Sequence, residues 1–334
     1  MHMSDALISP AVGGALWAVA GTLVAISARR VERDPDQRRV PLMGVLGAFV
    51  FAAQMVNFSI PGTGSSGHLG GGLLLAVLLG PSGGFLVLSS VLVVQALFFA
   101  DGGLLALGAN LVNLGVTSCF LAYPLVFRPL AAPLRPGGRL FFASVLAAMV
   151  GLSLGGAGVA VETAASGISS LPLGPFLALM VPVHLAIGLV EGIATAAVLS
   201  FLLRARPELA DARAPARALR PIVVSLGAAA LLTAGALSSL ASTAPDGLEW
   251  SVVRTAGAAL RAPTDGIRGL LARVQAAVAP FPDYRLPGRA HAAPIPADPG
   301  TSLAGVVGAG LTLALIFGAF ASLRWSRRRK GTPP

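Results

Sequence analysis

The chain has 334 residues, of which 55% are hydrophobic and only 11% are charged. Soluble domains carry about 25% charged residues, so this composition excludes a soluble globular protein. The formal net charge is +10, but 18 of the 24 Lys and Arg residues lie in four short clusters, at residues 29–39, 128–139, 204–220 and 324–330. Basic clusters between apolar segments are typical of cytoplasmic loops and argue against a nucleic-acid-binding face.

Apolar segments dominate the chain, and a helix needs roughly 20 such residues to cross a bilayer. We therefore predict an all-α, polytopic membrane helix bundle. Pro81 follows a third segment that is too short for an ordinary crossing, so we expect there a short or broken helix shielded by its neighbours. The nine segments are residues 6–28, 41–60, 70–79, 83–100, 103–127, 140–161, 172–203, 221–240 and 303–323.

The basic clusters also predict an orientation. If the short third segment counts as a crossing, all four clusters fall on one side. The positive-inside rule then places the N-terminus outside and the C-terminus in the cytoplasm of a cell (inner) membrane. No basic residue precedes the first apolar segment, so we expect no cleavable signal peptide and a mature chain that begins at or near its first residue.

The same pattern divides the chain into four parts. These are a seven-segment body (1–205), a basic cytoplasmic linker (206–220), a part with two transmembrane helices (221–323) and a basic cytoplasmic tail (324–334). Residues 241–301 are rich in Ala, Pro and Arg, and we expect them to be extracytoplasmic and only partly structured. His291 is solitary in this stretch.

Two of the four histidines, His2 and His68, fall on the predicted outer side. A histidine at position two can close two chelate rings through its imidazole Nδ1, its own backbone nitrogen and the terminal amine of Met1. His68 lies in a Gly/Ser loop without bulky side chains and would supply a fourth nitrogen. A square-planar site of this kind is diagnostic for Ni(II) or Cu(II). The residues alone equally allow His2 to be a polar side chain at a frayed terminus.

Other polar residues lie in or near the apolar segments. Ionisable groups inside a membrane are costly and usually functional, which makes His184 and Glu191, seven residues apart on one helical face, candidates for the ion pathway. A purely structural role stays equally open for both, and helix–helix hydrogen bonding is favoured for the Asn and Gln residues. The remaining candidates for positions near the ligands or along a pathway are Asp5, Asn57, Ser66, Asp101 and Glu162.

Small residues at four-residue spacing, Gly44, Ala48 and Ala52, form a ridge that allows close helix approach. This ridge predicts packing either within the chain or against another membrane subunit. The only cysteine, Cys119, lies in an apolar segment, which excludes a disulfide framework and a cysteine-based zinc site. The only lysine, Lys330, precedes Gly331, so there is no phosphate-binding loop and an ATP-driven step would need a partner.

Two other classes of membrane protein compete with a metal-capturing subunit. The Gly64-Ser65-Ser66-Gly67 string fits the pattern around the nucleophile of an intramembrane serine protease, with His184 as the base. A stand-alone secondary transporter or channel for metal ions is the other alternative. Mutation of Ser66 would abolish the activity of such a protease but spare metal uptake. Dependence of uptake on a cytoplasmic ATPase would separate a transporter subunit from a stand-alone transporter or channel.

An ordered series of motifs resembles a known family. The opening Met1-His2-Met3-Ser4-Asp5-Ala6-Leu7-Ile8-Ser9-Pro10 is similar to the Met-His-Ile-Pro-Asp-Gly-Phe-Leu-Ser-Pro of the CbiM/NikM family, the substrate-binding S components of energy-coupling-factor transporters for cobalt and nickel. Residues 245–250, Pro-Asp-Gly-Leu-Glu-Trp, resemble the PDGLE signature of the CbiN/NikN accessory component. Further matches are residues 54–58, 67–69, 79–81, 95–97, 101–103, 107–110, 184–188 and 191–192.

The resemblance implies a natural fusion of the two components. It implies that Met1, His2 and His68 hold the metal, and that nickel or cobalt is the transported substrate rather than a cofactor. It also implies that this chain is no enzyme and works with a transmembrane T component and two cytoplasmic ATPase subunits, in membrane lipid and without nucleic acid. Nickel and cobalt share one ligand set, so the choice between them stays open. The departures Met3, Ser4 and Ala6 affect the shape of the loop more than the ligands.

The PDGLE motif supplies no second ligand set, because its carboxylates are hard oxygen donors poorly suited to a square-planar nitrogen site. We therefore expect a conformational role, in which the outer stretch leans on the loops of Met1 and His68 and helps the metal to enter or leave. The residues of this accessory motif are Pro245, Asp246, Gly247, Leu248 and Glu249.

Overall fold

The computed structural model describes residues 2–33, 40–205, 219–286 and 299–329, and these residues are overwhelmingly helical. The single sheet among them is a hairpin of β1 and β2, in which Ser59 pairs with Ser66. The elements are α1 (Pro10–Glu32), α2 (Val40–Gln54), β1 (Phe58–Ile60), β2 (Ser65–Gly67), α3 (Gly72–Phe98), α4 (Leu107–Ala131), α5 (Gly138–Ser166), α6 (Leu173–Ala205), α7 (Leu219–Gly235), α8 (Gly247–Ala256), α9 (Gly266–Val278) and α10 (Pro299–Arg329), with 3₁₀ turns at Leu237–Leu240 and Pro282–Tyr284.

The predicted all-α membrane bundle is confirmed. Within the described residues, six helices are long and apolar enough to cross a membrane: α1, α3, α4, α5, α6 and α10. Helix α2 and the Pro221–Gly235 part of α7 are shorter apolar helices. The predicted eighth segment was too long at its end, because the chain leaves α7 at Gly235 and turns into the 3₁₀ turn Leu237–Leu240.

Helix α3 has the length of a single membrane-crossing helix, but the chain reverses its direction within it at Gly80. Gly80 has a non-helical backbone (φ 75°, ψ 166°) and precedes Pro81, which cannot donate a helical hydrogen bond. A Cβ atom on Gly84 would lie 2.7 Å from the backbone N of Ala76, whereas residues eight apart in a straight helix are about 12 Å apart. A short arm before Gly80 therefore packs against a longer arm after it, as the break at Pro81 predicted.

The ridge of small residues on α2 packs within the chain. A Cβ atom on Gly47 would lie 2.6 Å from Ile316 Cδ1, and one on Gly44 would lie 2.9 Å from Phe317 Cε2. Both partners belong to α10, so the C-terminal part covers this face of the body. Of the two possibilities left open by the sequence, the structure shows the internal one.

The stretch after α7 was expected to be only partly structured, and its described part, residues 241–286, contains two helices. Its residues 241–286 form α8 and α9, because the Asp246 side chain caps the first turn of α8 by accepting from Glu249 N at 2.7 Å, and Gly257 ends α8 in the left-handed conformation. The backbone N–H of Phe281 donates to Phe98 O at 3.1 Å, which ties the end of this stretch to α3. Met1, most of the 206–220 linker, His291 and the end of the tail lie outside the described residues.

Candidate metal centre

The N-terminal residues are fixed against the first turn of α4 and the residues just before it. Asn110 accepts from Met3 N at 2.6 Å and donates to Met3 O at 3.2 Å, and the Asp5 carboxylate accepts from Ala106 N at 2.9 Å. The side chains of Met3, Leu7 and Ile8 are fully buried. The chain therefore has no frayed end from His2 onwards, and the His2 side chain is only 5% exposed.

His2 and His68 meet at this end of the bundle. Their rings stack with centroids 5.1 Å apart and an interplanar angle of 12°. Nδ1 of His2 lies 2.9 Å from Asp101 Oδ1, and Nδ1 of His68 donates to Leu69 O at 3.0 Å. The structure thus brings together His2, His68 and Asp101, but the His2 nitrogen that the predicted chelate uses faces Asp101. The third predicted ligand, Met1, lies outside the described residues.

The charges of this cluster are set by burial and by neighbours. Burial lowers the pKa of His68 to about 3, and the neighbouring His2 ring acts in the same direction, so His68 is neutral at pH 7. Burial would raise the pKa of Asp101, but pairing with His2 and a hydrogen bond from Tyr284 hold it below its usual range. The cluster therefore combines a neutral imidazole with an ionised carboxylate.

Side chains on α6 and α2 form hydrogen bonds with the backbone that follows His68. The Glu191 carboxylate accepts from Gly70 N at 2.6 Å and from Gly71 N at 3.1 Å. Gln54 Nε2 donates to Gly70 O at 2.7 Å, and Gln95 Nε2 donates to Gln54 Oε1 at 2.8 Å. Glu191 is 1% exposed, so this anchor is a buried carboxylate satisfied by backbone amides.

The PDGLE motif touches the His68 loop directly. Ser66 N donates to Pro245 O at 2.8 Å, and the Ser66 hydroxyl donates to Ala244 O at 2.8 Å. Further along, Ser242 N donates to Asn57 O at 2.8 Å. Leu248 is buried in one apolar cluster with Met3 and Leu7. The motif therefore joins the β1–β2 hairpin to the N-terminal segment.

A second contact joins the C-terminal part to the Asp101 loop. The Tyr284 hydroxyl donates to Asp101 Oδ2 at 2.6 Å, and Gln275 Nε2 donates to Gly102 O at 2.6 Å. Asp101 therefore bridges Tyr284 and His2. The sequence prediction missed Tyr284, Gln275 and the role of Asn110. Asn110 belongs to the family-like motif at residues 107–110, whereas nothing in the sequence pattern singles out Tyr284.

Of the remaining predicted residues, Glu162 lies apart from the two histidines, whereas His184 lines a small cavity together with His68. Glu162 accepts from Asn113 Nδ2 at 2.7 Å, which joins α5 to α4. His184 Nδ1 donates to Met180 O at 2.7 Å. The Ser66 hydroxyl donates to Ala244 O and His184 Nε2 has no hydrogen-bond partner among the described residues, so the serine–histidine hydrogen bond of a serine protease is not formed there.

Two known protein families match this chain in sequence. Residues 2–209 match the family model described as the cobalt uptake substrate-specific transmembrane region, CbiM, and residues 220–325 match the PDGLE domain. The putative fused nickel transport protein NikMN of Archaeoglobus fulgidus is 33% identical, with 98% of this chain and 99% of that protein covered. The fused nickel transport protein NikMN of Rhodobacter capsulatus is also 33% identical, with coverages of 99% and 100%.

The fold comparison agrees with the sequence comparison. A crystal structure of a truncated transition metal transporter superposes with a TM-score of 0.54 at 28% identity, and covers 61% of this chain and 99% of that one. The part covered corresponds in extent to the CbiM region, and the PDGLE domain accounts for most of the remainder. The chain belongs to the CbiM family and carries a PDGLE domain fused to its C-terminal side, as the motif resemblance predicted.

Proposed function

We propose that the chain is the substrate-capture (S) component of an ATP-driven energy-coupling-factor transporter that imports nickel or cobalt ions. The observation that carries the proposal is the convergence of His2, whose side chain is almost fully buried, and His68 at an N-terminal segment anchored by Asn110. The transport functions in the names of related proteins support it, since full-length relatives are named as nickel transport proteins and relatives of the body as cobalt transport proteins.

The proposed ligands are the terminal amine of Met1, the backbone nitrogen and Nδ1 of His2, and an imidazole nitrogen of His68. The described residues contain no group of three or more His, Cys, Asp or Glu side chains placed to hold a metal, so the ion needs backbone nitrogens as well. His68 is neutral and its Nδ1–H is already used, which leaves the Nε2 lone pair for the ion.

Binding by this ligand set requires a local rearrangement. His2 Nδ1 has to leave Asp101, to which it lies at 2.9 Å, before it can bind the ion. Asp101 keeps its hydrogen bond from Tyr284 in that event and remains a nearby negative charge for the cation. The two imidazoles are thus adjacent before the ion binds, and Asp101 gives up its contact with His2 Nδ1 when the ion arrives.

The PDGLE domain acts in this account as a conformational partner rather than a ligand donor. It touches the His68 loop through Ser66 and the Asp101 loop through Tyr284, the two loops between which an ion has to pass. Such coupling works only if the domain binds two states of the loops unequally. In the proposed orientation this end of the bundle faces outward, and a T component with two cytoplasmic ATPases drives release inward.

The ligand assignment is tested by nickel titration of the purified full chain. His2→Ala and His68→Ala should each abolish high-affinity Ni(II) binding, because a chelate that lacks one nitrogen has to recruit water. Glu162→Gln is the matched control, since it keeps its contact with Asn113 and touches neither loop, and it should bind like the parent. Unchanged affinity in either alanine variant would contradict the assignment.

A further inference from the structure

A small cavity lies directly beneath the His68 loop. Its volume of about 10 Å³ is close to the roughly 10–15 Å³ needed to hold one water molecule, so it fits one water-sized species. His68 lines it from the loop and His184 lines it from α6. The other lining residues are Gly67, Gly70, Leu114, Leu152, Ile187 and Gly247.

His184, which lines this cavity, has one ring nitrogen without a hydrogen-bond partner among the described residues. The side chain is fully buried, and its Nδ1–H donates to Met180 O at 2.7 Å. The lone pair is therefore on Nε2, which is buried and has no hydrogen-bond partner among the described residues. A buried acceptor without a partner is costly and points to an occupant of the cavity.

The orientation of His184 is the one that metal-binding histidines adopt. Such histidines commonly donate their other ring N–H to a backbone carbonyl, which fixes the tautomer and aims the free nitrogen at the ion. His68 has the same arrangement, with Nδ1 on Leu69 O. Imidazole nitrogens suit nickel and related divalent metals, so the cavity carries nitrogen donors on two of its walls.

The first turn of α8 closes the cavity. A Cβ atom on Gly247 would lie 2.6 Å from Val183 Cγ1 and 3.6 Å from His184 Cε1, so a glycine is needed for this close approach. Gly247 follows Asp246, whose backbone bridges to Ser66 in the His68 loop. The PDGLE motif therefore covers the space between His68 and His184 from above.

We propose that His184 Nε2 is the ligand of a second, inner metal site, which receives the ion from the outer site through His68. The proposal rests on the proposed function, since the ion it takes is the divalent nickel or cobalt of the outer site. In the inward step His68 keeps the ion while His2 releases it, and His184 then supplies the next nitrogen. One imidazole shared between two positions lets the ion move without passing through bare apolar surface.

The inner site is tested by giving it a spectroscopic ligand. In the full chain with Cys119→Ser and His2→Ala, which disables the outer chelate, His184→Cys puts a thiolate-forming side chain at the same position of α6, where removal of the imidazole leaves room for the ion. Titration with excess Co(II) should then produce a thiolate-to-cobalt charge-transfer absorption. His184→Ser is the matched control and should give none, and adding His68→Ala should remove the absorption. Absence of the absorption in the His184→Cys protein would mean that the cavity holds water only and would overturn the proposal.

A transport measurement separates this proposal from the proposed function. His184→Gln should keep equilibrium Ni(II) affinity within about threefold of the parent, because the outer ligands are intact, while nickel uptake by cells with the partner subunits falls at least tenfold. Unchanged uptake would overturn the inner site and leave the outer one standing. A loss of affinity equal to that of His68→Ala would instead make His184 part of the outer site. Failure of the unmodified chain to bind nickel would refute the proposed function, and the inner site with it.

Discussion

At the scale of single residues, the proposed metal centre depends on side chains that hold the segments of its proposed ligands. Glu191 is the clearest, because its buried carboxylate accepts two backbone N–H groups immediately after His68. Its position in an apolar helix identified it as functional or structural, but the sequence did not reveal its partners. Those partners are glycine amides, which leave no pattern in the side chains, so the anchoring role became visible only in the folded chain.

We expect Glu191→Gln to weaken both the fold and the metal site. The amide keeps one acceptor and sets an NH₂ group against the second N–H, and an unsatisfied buried donor costs about 1–3 kcal/mol. The thermal unfolding midpoint should fall, and Ni(II) affinity should drop about tenfold, which corresponds to about 1.4 kcal/mol. Glu162→Gln, the control, should leave affinity unchanged. Parent-like affinity in Glu191→Gln would show that the anchor does not position His68.

At the scale of elements, the helical segments and the break at Pro81 were predictable because apolar runs and proline act locally. The α8 and α9 helices were not, because residues 241–286 are only weakly apolar and form helices through capping by Asp246 and docking on the body. The packing of α10 on α2 was left open for a similar reason. A ridge of small residues shows that a helix approaches closely, but not which helix does so.

The reversal within α3 gives a direct test of the fold. Gly84→Ala puts a methyl group 2.7 Å from the backbone N of Ala76, and overpacking of this kind costs about 1–3 kcal/mol. Gly14→Ala in α1 is the matched control, since its Cβ meets nothing within 4 Å. Thermal unfolding in detergent should show a lower midpoint for the first variant only. Equal midpoints would indicate that the two arms of α3 do not pack as described.

At the scale of the whole molecule, the account requires the loops of His2, His68 and Asp101 to lie at the outer face. The charge pattern predicts this orientation, and the structure gathers those loops at one end of the bundle together with α8 and the turn at Tyr284. The proximity of His2 and His68 was predictable from the sequence and is seen in their stacked rings, whereas their role as metal ligands stays a prediction. The contact of the PDGLE motif with the His68 loop was predicted, whereas the contacts of Tyr284 and Gln275 with the Asp101 loop were not.

The orientation is tested by cysteine labelling in intact cells. In a Cys119→Ser background, Thr243→Cys, an exposed position near the PDGLE motif, should react with a membrane-impermeant thiol reagent. Pro136→Cys, exposed between α4 and α5, should react only after the cells are permeabilised. The reverse pattern would overturn the orientation and with it the direction of import.

The PDGLE domain is tested by truncation after Arg220. Because its contacts reach the loops rather than supply nitrogen ligands, the shortened chain should keep an equilibrium Ni(II) affinity close to that of the full chain. Uptake in cells should fall sharply. Both quantities are measured on the same truncated protein, and lost affinity would assign ligands to the domain, whereas unchanged uptake would make it dispensable.

The central claim is that the terminal amine of Met1 is a metal ligand together with His2 and His68. The most direct measurement is Ni(II) affinity of the chain with its native N-terminus against the same chain extended by one glycine before Met1. The extension displaces the amine from the chelate but leaves every side chain in place, and a glycine added after Pro334 is the control. The account predicts a loss of more than about 100-fold, or about 2.7 kcal/mol, for the N-terminal extension alone. Equal affinity of the native and extended chains would contradict it.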